Sequence, residues 1–203
     1  VIAIIDYGMG NLRSVQKAFE KAGAQALVTS SARDIDRAAK IVLPGVGAFE
    51  GAMEELARRG LTGLVKDKIR EGVPYLGLCL GLQLLFDASE ESAGSGTAPG
   101  LGIVPGTVRR FQGRLKVPHM GWNSIGLRKR NCPLFAGIRS GENFYFVHSY
   151  YGAPRDPSWT AAVTPYGRDF CSAIWKGNVF ATQFHPEKSQ SAGLRVIKNF
   201  AAL

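Results

Sequence analysis

Val73-Pro74-Tyr75-Leu76-Gly77-Leu78-Cys79-Leu80-Gly81-Leu82-Gln83-Leu84-Leu85-Phe86 is the stretch that decides how this chain folds. An apolar run rich enough for a buried strand stops at Gly77, and Leu80, Leu84 and Leu85 then recur at helical spacing. A strand is therefore expected to turn into a helix at Cys79. Gly77 and Gly81 have no Cβ, which permits a strained bend and close packing there, the logic of a nucleophile elbow with sulfur in place of a serine hydroxyl. Amides at the start of the helix would point toward the thiol and favour thiolate. Taken alone, Cys79 fits a small buried core thiol better, because free cysteine is among the most buried residue types. A nucleophile needs a base, which has to come from elsewhere in the chain.

Upstream of the elbow the same unit repeats. Residues 1–5 read as a buried strand ending at Asp6, followed by the turn Tyr7-Gly8-Met9-Gly10-Asn11 and the helical pattern Leu12, Val15, Phe19. Gly8 and Gly10 do not make a dinucleotide fingerprint, since Arg13 stands where the third glycine belongs. Asn11 and Arg13 instead sit just beyond a strand's carboxyl end, where parallel sheets place working groups. Strands are expected over 26–29 and 41–43, the latter running into Pro44-Gly45-Val46-Gly47-Ala48-Phe49, and helices over 50–59 and 61–70. The glycines at 45 and 47 suit either a tight turn or an anion-binding concavity of backbone amides. Alternating strands and helices imply an α/β fold with a mainly parallel open sheet covered by helices.

Beyond the elbow, residues 89–100 are rich in Ser, Gly and Glu and read as a surface loop. Strand-like pattern resumes at Ile103-Val104 and Val108, and residues 117–123 look too irregular for a sheet centre. β runs are expected over 144–151, 160–163, 171–175 and 178–184, with a hairpin at Lys176-Gly177-Asn178. The C-terminal half thus adds an antiparallel or mixed extension. A last helix, with Leu194, Ile197 and Ala201 at helical spacing, closes a single domain over 1–203.

Composition narrows the function classes. The three cysteines, Cys79, Cys132 and Cys171, are widely spaced and odd in number, which suggests neither a disulfide framework nor a metal site. No apolar stretch is long enough for a membrane span and no secretory leader is visible, so a cytoplasmic location is expected. The formal charge of +9 comes from short, scattered basic runs with no nucleic-acid motif beside them. It ranks surface solvation first, an acidic protein partner second and nucleic acid a distant third.

The chain holds His119, His148 and His185, and His185 has the most informative surroundings: Gln183-Phe184-His185-Pro186-Glu187-Lys188-Ser189. Proline bars continuation of the strand ladder and fixes the backbone, so the carboxylate of Glu187 can turn back to the imidazole. A histidine that takes a thiol proton and later protonates a leaving amine, with a carboxylate holding its tautomer, is what Cys79 would need.

Gly77-Leu78-Cys79-Leu80-Gly81 together with His185-Pro186-Glu187 resembles the class I (triad) glutamine amidotransferase family, in order and spacing over nearly the whole chain. The segments 6–12, 44–49, 118–123, 145–150 and 184–189 are most similar to the glutaminase subunits of imidazole glycerol phosphate synthases.

The resemblance implies hydrolysis of glutamine to glutamate and ammonia by Cys79, His185 and Glu187 through a glutamyl thioester, with no cofactor. It implies an oxyanion hole from Val46, Gly47 and Leu80, and glutamine binding by Gln83, Glu91, Ser149 and Tyr150. A solvated loop charge is an equally good reading of Glu91. The implied partner is a separate cyclase subunit, a HisF-like β/α barrel, which takes the ammonia within a heterodimer of histidine biosynthesis; no synthase domain is expected to be fused to this chain. Asn11, Arg13, Trp122, Tyr145 and Lys188 are expected on the docking face, because exposed Trp and Arg are favoured anchors. Rotation of the peptide between Gly45 and Gly47 on cyclase binding would complete the hole. Amidotransferases serving other synthases, a γ-glutamyl peptidase and a non-catalytic interaction protein are the alternatives.

Overall fold

The computed structural model describes residues 1–94 and 96–203. Its strands are β1 (Ile2–Ile5), β2 (Ala26–Thr29), β3 (Lys40–Gly45), β4 (Tyr75–Cys79), β5 (Phe86–Ser89), β6 (Ala98–Pro99), β7 (Val104–Arg110), β8 (His119–Ser124), β9 (Gly126–Leu127), β10 (Asn143–His148), β11 (Tyr150–Pro154), β12 (Thr160–Tyr166), β13 (Arg168–Lys176) and β14 (Val179–Thr182). The α-helices are α1 (Leu12–Lys21), α2 (Ala32–Asp36), α3 (Phe49–Arg58), α4 (Leu61–Arg70), α5 (Leu80–Gln83) and α6 (Gln190–Ala202).

Eight strands form the main sheet in the order β2-β1-β3-β4-β14-β13-β12-β9. The pairings from β2 to β14 are parallel, and those from β14 outward to β9 are antiparallel. The inner parallel strands β1, β3, β4 and β14 are buried on both faces, as their unbroken apolar runs require, while the edge strand β2 is partly exposed. Successive residues of β1 alternate between two cores: Ala3 and Ile5 join Leu56, Leu61 and Val65 of α3 and α4, whereas Ile2 and Ile4 join Val15 and Phe19 of α1 and Val196 and Phe200 of α6. Phe19 meets Phe200 edge-on with ring centroids 6.3 Å apart, which ties the two helices together. The hairpin between β13 and β14 turns at Gly177, whose φ of 58° suits a residue without Cβ.

Two smaller sheets complete the β structure, one of four strands (β11-β7-β5-β6) and a two-stranded ribbon (β10-β8). Here the structure refines the sequence reading. The β run expected over 144–151 is divided, because β10 and β11 belong to different sheets and the chain breaks at Ser149. Residues 119–124 do form a strand, in the ribbon and not in a sheet centre, after the turn at Pro118. The helix expected after Cys79 is a single turn of four residues, and Phe86 already starts a strand; Leu80, Leu82, Leu84 and Leu85 are all buried, so no single helix stripe faces the core. The loop expected over 89–100 contains β6, and residue 95 of it lies outside the described residues.

Candidate active site

The carboxyl ends of three adjacent parallel strands meet at one point. Gly45, the last residue of β3, is in register with Cys79, the last of β4, and on the other side Leu78 pairs with Thr182, the last of β14. The loop after β3, the thiol after β4 and the imidazole after β14 are thus brought together by strand order, in the crevice where parallel sheets bind ligands.

Cys79 has φ 53° and ψ −105°, a left-handed backbone that costs a non-glycine residue on the order of 1–3 kcal/mol. The packing around the bend holds it there. A Cβ on Gly81 would run into the Leu43 carbonyl, and one on Gly77 would meet the Gly81 backbone. Because α5 is one turn long, any stabilisation of negative charge at the sulfur comes from the nearest free amide, that of Leu80, and not from a long helix dipole. Gln183 donates from Nε2 to the Cys79 sulfur at 3.6 Å. The same Gln183 accepts through Oε1 from Gln83 Nε2 at 3.1 Å, and Gln83 also donates to the Tyr150 carbonyl at 2.9 Å.

His185 Nδ1 lies 2.7 Å from Glu187 Oε1, with only 4% and 3% of the two side chains exposed. Burial by itself lowers the imidazole pKa, but the Cys79 sulfur and the Glu187 carboxylate outweigh it and hold His185 up at about 10. His185 Nε2 has no formed hydrogen bond among the described residues and is the nitrogen left to serve the thiol. Catalytic hydrogen bonds are often this loose without substrate. The 185–189 turn is clamped to β10: His185 N donates to the Tyr145 carbonyl at 2.9 Å, and Tyr145 N donates to Ser189 Oγ at 3.0 Å.

A cavity of about 340 Å³ opens over the thiol, lined among others by Val46, Gly47, Leu80, Gln83, Glu91 and His185. Ser149 and Tyr150, at the break between β10 and β11, line it too. Glu91 accepts from Phe49 N at 3.0 Å, so it also caps α3, whose own N-cap residue, Ala48, has no capping side chain. Burial raises the pKa of this carboxyl, an effect that the hydrogen bond from Phe49 partly offsets. Val46 is 43% exposed at the cavity mouth, and Gly47, with φ 99°, packs close to the Met9 methyl. Below Gly45 the Tyr7 hydroxyl is buried with no partner among the described residues. Burial and then the nearby Cys79 push its pKa upward, so it stays protonated.

The family model "Glutamine amidotransferase class-I" matches residues 3–202. The chain belongs to this family. It is 55% identical over 207 residues to "Imidazole glycerol phosphate synthase subunit HisH" of Syntrophotalea carbinolica, covering 98% of each chain. It is 54% identical to the protein of the same name from Geobacter sulfurreducens, over 100% of this chain and 98% of the other. Among solved structures, a crystal structure of a glutamine amidotransferase superposes with a TM-score of 0.75 at 18% identity over all of both chains. The structure of PurLQS from Thermotoga maritima does so at 0.73 and 18%, over 98% and 96%. At such identities the likeness concerns the fold.

In this amidotransferase the cavity gathers every residue that the sequence assigned to nucleophile, base, oxyanion hole and glutamine, except Glu187, which stands behind His185. Three of the five residues expected at a docking face lie side by side. Trp122 and Tyr145 are cross-strand partners on β8 and β10, their rings edge-on at 6.3 Å, and Lys188 Nζ lies 5.9 Å from the centre of the Tyr145 ring. Trp122 is 50% exposed, and Asn11 and Arg13 are exposed at the start of α1. Sequence reasoning missed Met120, 62% exposed two residues from Trp122 on the same strand face, which alternation along an exposed strand could have found. It also missed Gln183 and Tyr7, whose proximity to the thiol left no local signal.

Proposed function

We propose that the chain is the glutaminase subunit of an imidazole glycerol phosphate synthase and delivers ammonia from glutamine to a separate cyclase subunit. The observation that carries the reading is the convergence of Cys79, on its strained bend, with the His185–Glu187 pair and the Gln83 and Glu91 side chains around one cavity. Relatives of the same length carry that synthase subunit's name.

The thiol proton passes to His185 Nε2, and Glu187 stabilises the imidazolium. Sulfur attacks the side-chain amide carbon of glutamine, and the carbonyl π electrons move onto oxygen to form the oxyanion. The Leu80 amide and an amide of the 45–47 loop hold that charge. Collapse breaks the C–N bond, His185 protonates the leaving nitrogen as ammonia, and a glutamyl thioester remains. Water, deprotonated by His185, then releases glutamate and restores the thiol. Gln83, Glu91, Ser149 and Tyr150 hold the substrate, with Glu91 facing its ammonium group.

Docking of a β/α-barrel cyclase on the face formed by Asn11, Arg13, Trp122, Tyr145 and Lys188 would cover the cavity mouth. The exposed peptide at Val46, between two glycines, rotates to complete the oxyanion hole when the cyclase binds. Three unpaired, buried cysteines suit the reducing cytoplasm. The test is a Cys79→Ala variant mixed with cyclase. Glutamine-dependent synthesis should vanish while complex formation and synthesis from added ammonia persist. Loss of the ammonia-dependent activity as well would refute the separation of chemistry from docking.

A further inference from the structure

The reaction makes no direct use of the other two imidazoles, both of them buried. His119 on β8 and His148 at the end of β10 are cross-strand partners, 4% and 6% exposed, inside a box that includes Phe111, Phe146, Tyr166 and Phe170. Tyr166 stacks on His119 with centroids 4.1 Å apart. Taking two polar rings out of water is costly unless their nitrogens are matched, and here all four are.

His148 Nδ1 is 2.8 Å from the Tyr150 carbonyl, which can only accept, so the proton is on Nδ1. In the neutral ring Nε2 is then an acceptor, and His119 Nδ1, 2.9 Å away, must donate to it. His119 Nε2 accepts in turn from Asn123 Nδ2 at 3.2 Å. The orientation of that amide is independently fixed, because Nδ2 also donates to the Pro165 carbonyl at 2.8 Å and Oδ1 accepts from Ser124 N at 2.8 Å. Burial lowers the pKa of His119 to about 4. It lowers that of His148 to about 3, assisted by the other histidines and opposed by the Tyr150 carbonyl. Both rings are thus neutral near pH 7, each with one tautomer. The relay ends on the carbonyl to which Gln83 also donates, on the wall of the cavity above Cys79.

We propose that His119 is a positioning residue for the glutamine pocket: its Nδ1–H holds His148 in the Nδ1–H tautomer, which pins the Tyr150 carbonyl and, through it, Gln83. The relay starts at Asn123, the neighbour of Trp122 on the docking ribbon, so the ribbon and the substrate wall are held as one unit. The inference rests on the glutaminase reading for its substrate but not for its tautomers.

Histidine labelled with ¹⁵N in the otherwise native chain, bound to the cyclase, reports the ring nitrogens directly. Both His119 and His148 should show the Nδ1–H form. In His119→Phe, which leaves His148 Nε2 without a donor, the KM for glutamine should rise on the order of tenfold with kcat within about threefold. His119→Gln, whose amide can still donate to Nε2, should recover most of that loss. An Nε2–H tautomer at His148 in the native chain would overturn the proposal whether or not the phenylalanine variant folds. An unchanged KM in a folded His119→Phe protein, or a His119→Gln protein as impaired as it, would do the same. If the native complex turns over no glutamine at all, the glutaminase reading fails and the ring-nitrogen shifts still decide on the relay.

Discussion

His185 and Glu187, two residues apart, share a buried 2.7 Å contact that only the intervening Pro186 makes geometrically easy. The proline starts a 3₁₀ turn a few residues beyond the end of β14, which swings the carboxylate back onto the imidazole that precedes it. The second oxygen, Glu187 Oε2, has no partner among the described residues, so the carboxylate is committed to the histidine.

Replacing Glu187 with Gln keeps the shape and removes the charge. The imidazolium loses its stabiliser and the ring loses its preferred tautomer, so glutaminase kcat in the cyclase complex should fall by roughly 10³- to 10⁴-fold. Steady-state ammonia release measures this. A loss below tenfold would remove Glu187 from the reaction.

The Cys79 sulfur and, after it, the Glu187 carboxylate make stability depend on pH through His185. The pKa of His185 is raised from the ordinary histidine value to about 10, so the folded chain holds a proton that the unfolded chain releases near pH 6.5. The stabilisation is complete below that lower value and is lost as pH rises through about 10. Thermal melts of the native chain and of Glu187→Gln should therefore differ more at pH 6 than at pH 10.5, with the native chain the more stable at pH 6. A gap that widens in alkali would contradict the assignment.

Gly81 permits the elbow to pack against β3. In Gly81→Ala the new methyl meets the Leu43 carbonyl, which cannot move without breaking the parallel sheet. Overpacking of this kind costs roughly 1–3 kcal/mol, or about 2–12 °C in melting temperature for a domain of this size. Gly51→Ala, on an open helix surface with nothing near its Cβ position, is the control and should melt at or above the native temperature.

Trp122 is half exposed beside Met120, and an aromatic so placed is a candidate anchor. Trp122→Ala should weaken cyclase binding by about 2 kcal/mol or more, roughly thirtyfold in Kd, with little change in the melting temperature of the isolated chain. Calorimetric titration against the cyclase measures it. Unchanged affinity would move the docking face elsewhere.

Local sequence sufficed for everything whose cause is local. Apolar strands alternating with amphipathic helices specify a doubly covered parallel sheet, glycines at 77 and 81 specify a bend at Cys79, and a proline after His185 specifies the turn that brings Glu187 back. Tertiary structure alone decided what depends on strand order and on neighbours distant in the chain. The insertion of β14 beside β4 sets His185 near a thiol more than a hundred residues earlier, and the division of β10 from β11 at Ser149 turns one apparent strand into a cavity wall. Packing likewise aims Gln183 at the sulfur and joins His119 to His148, because a hydrogen bond between side chains remote in sequence leaves no periodicity to read.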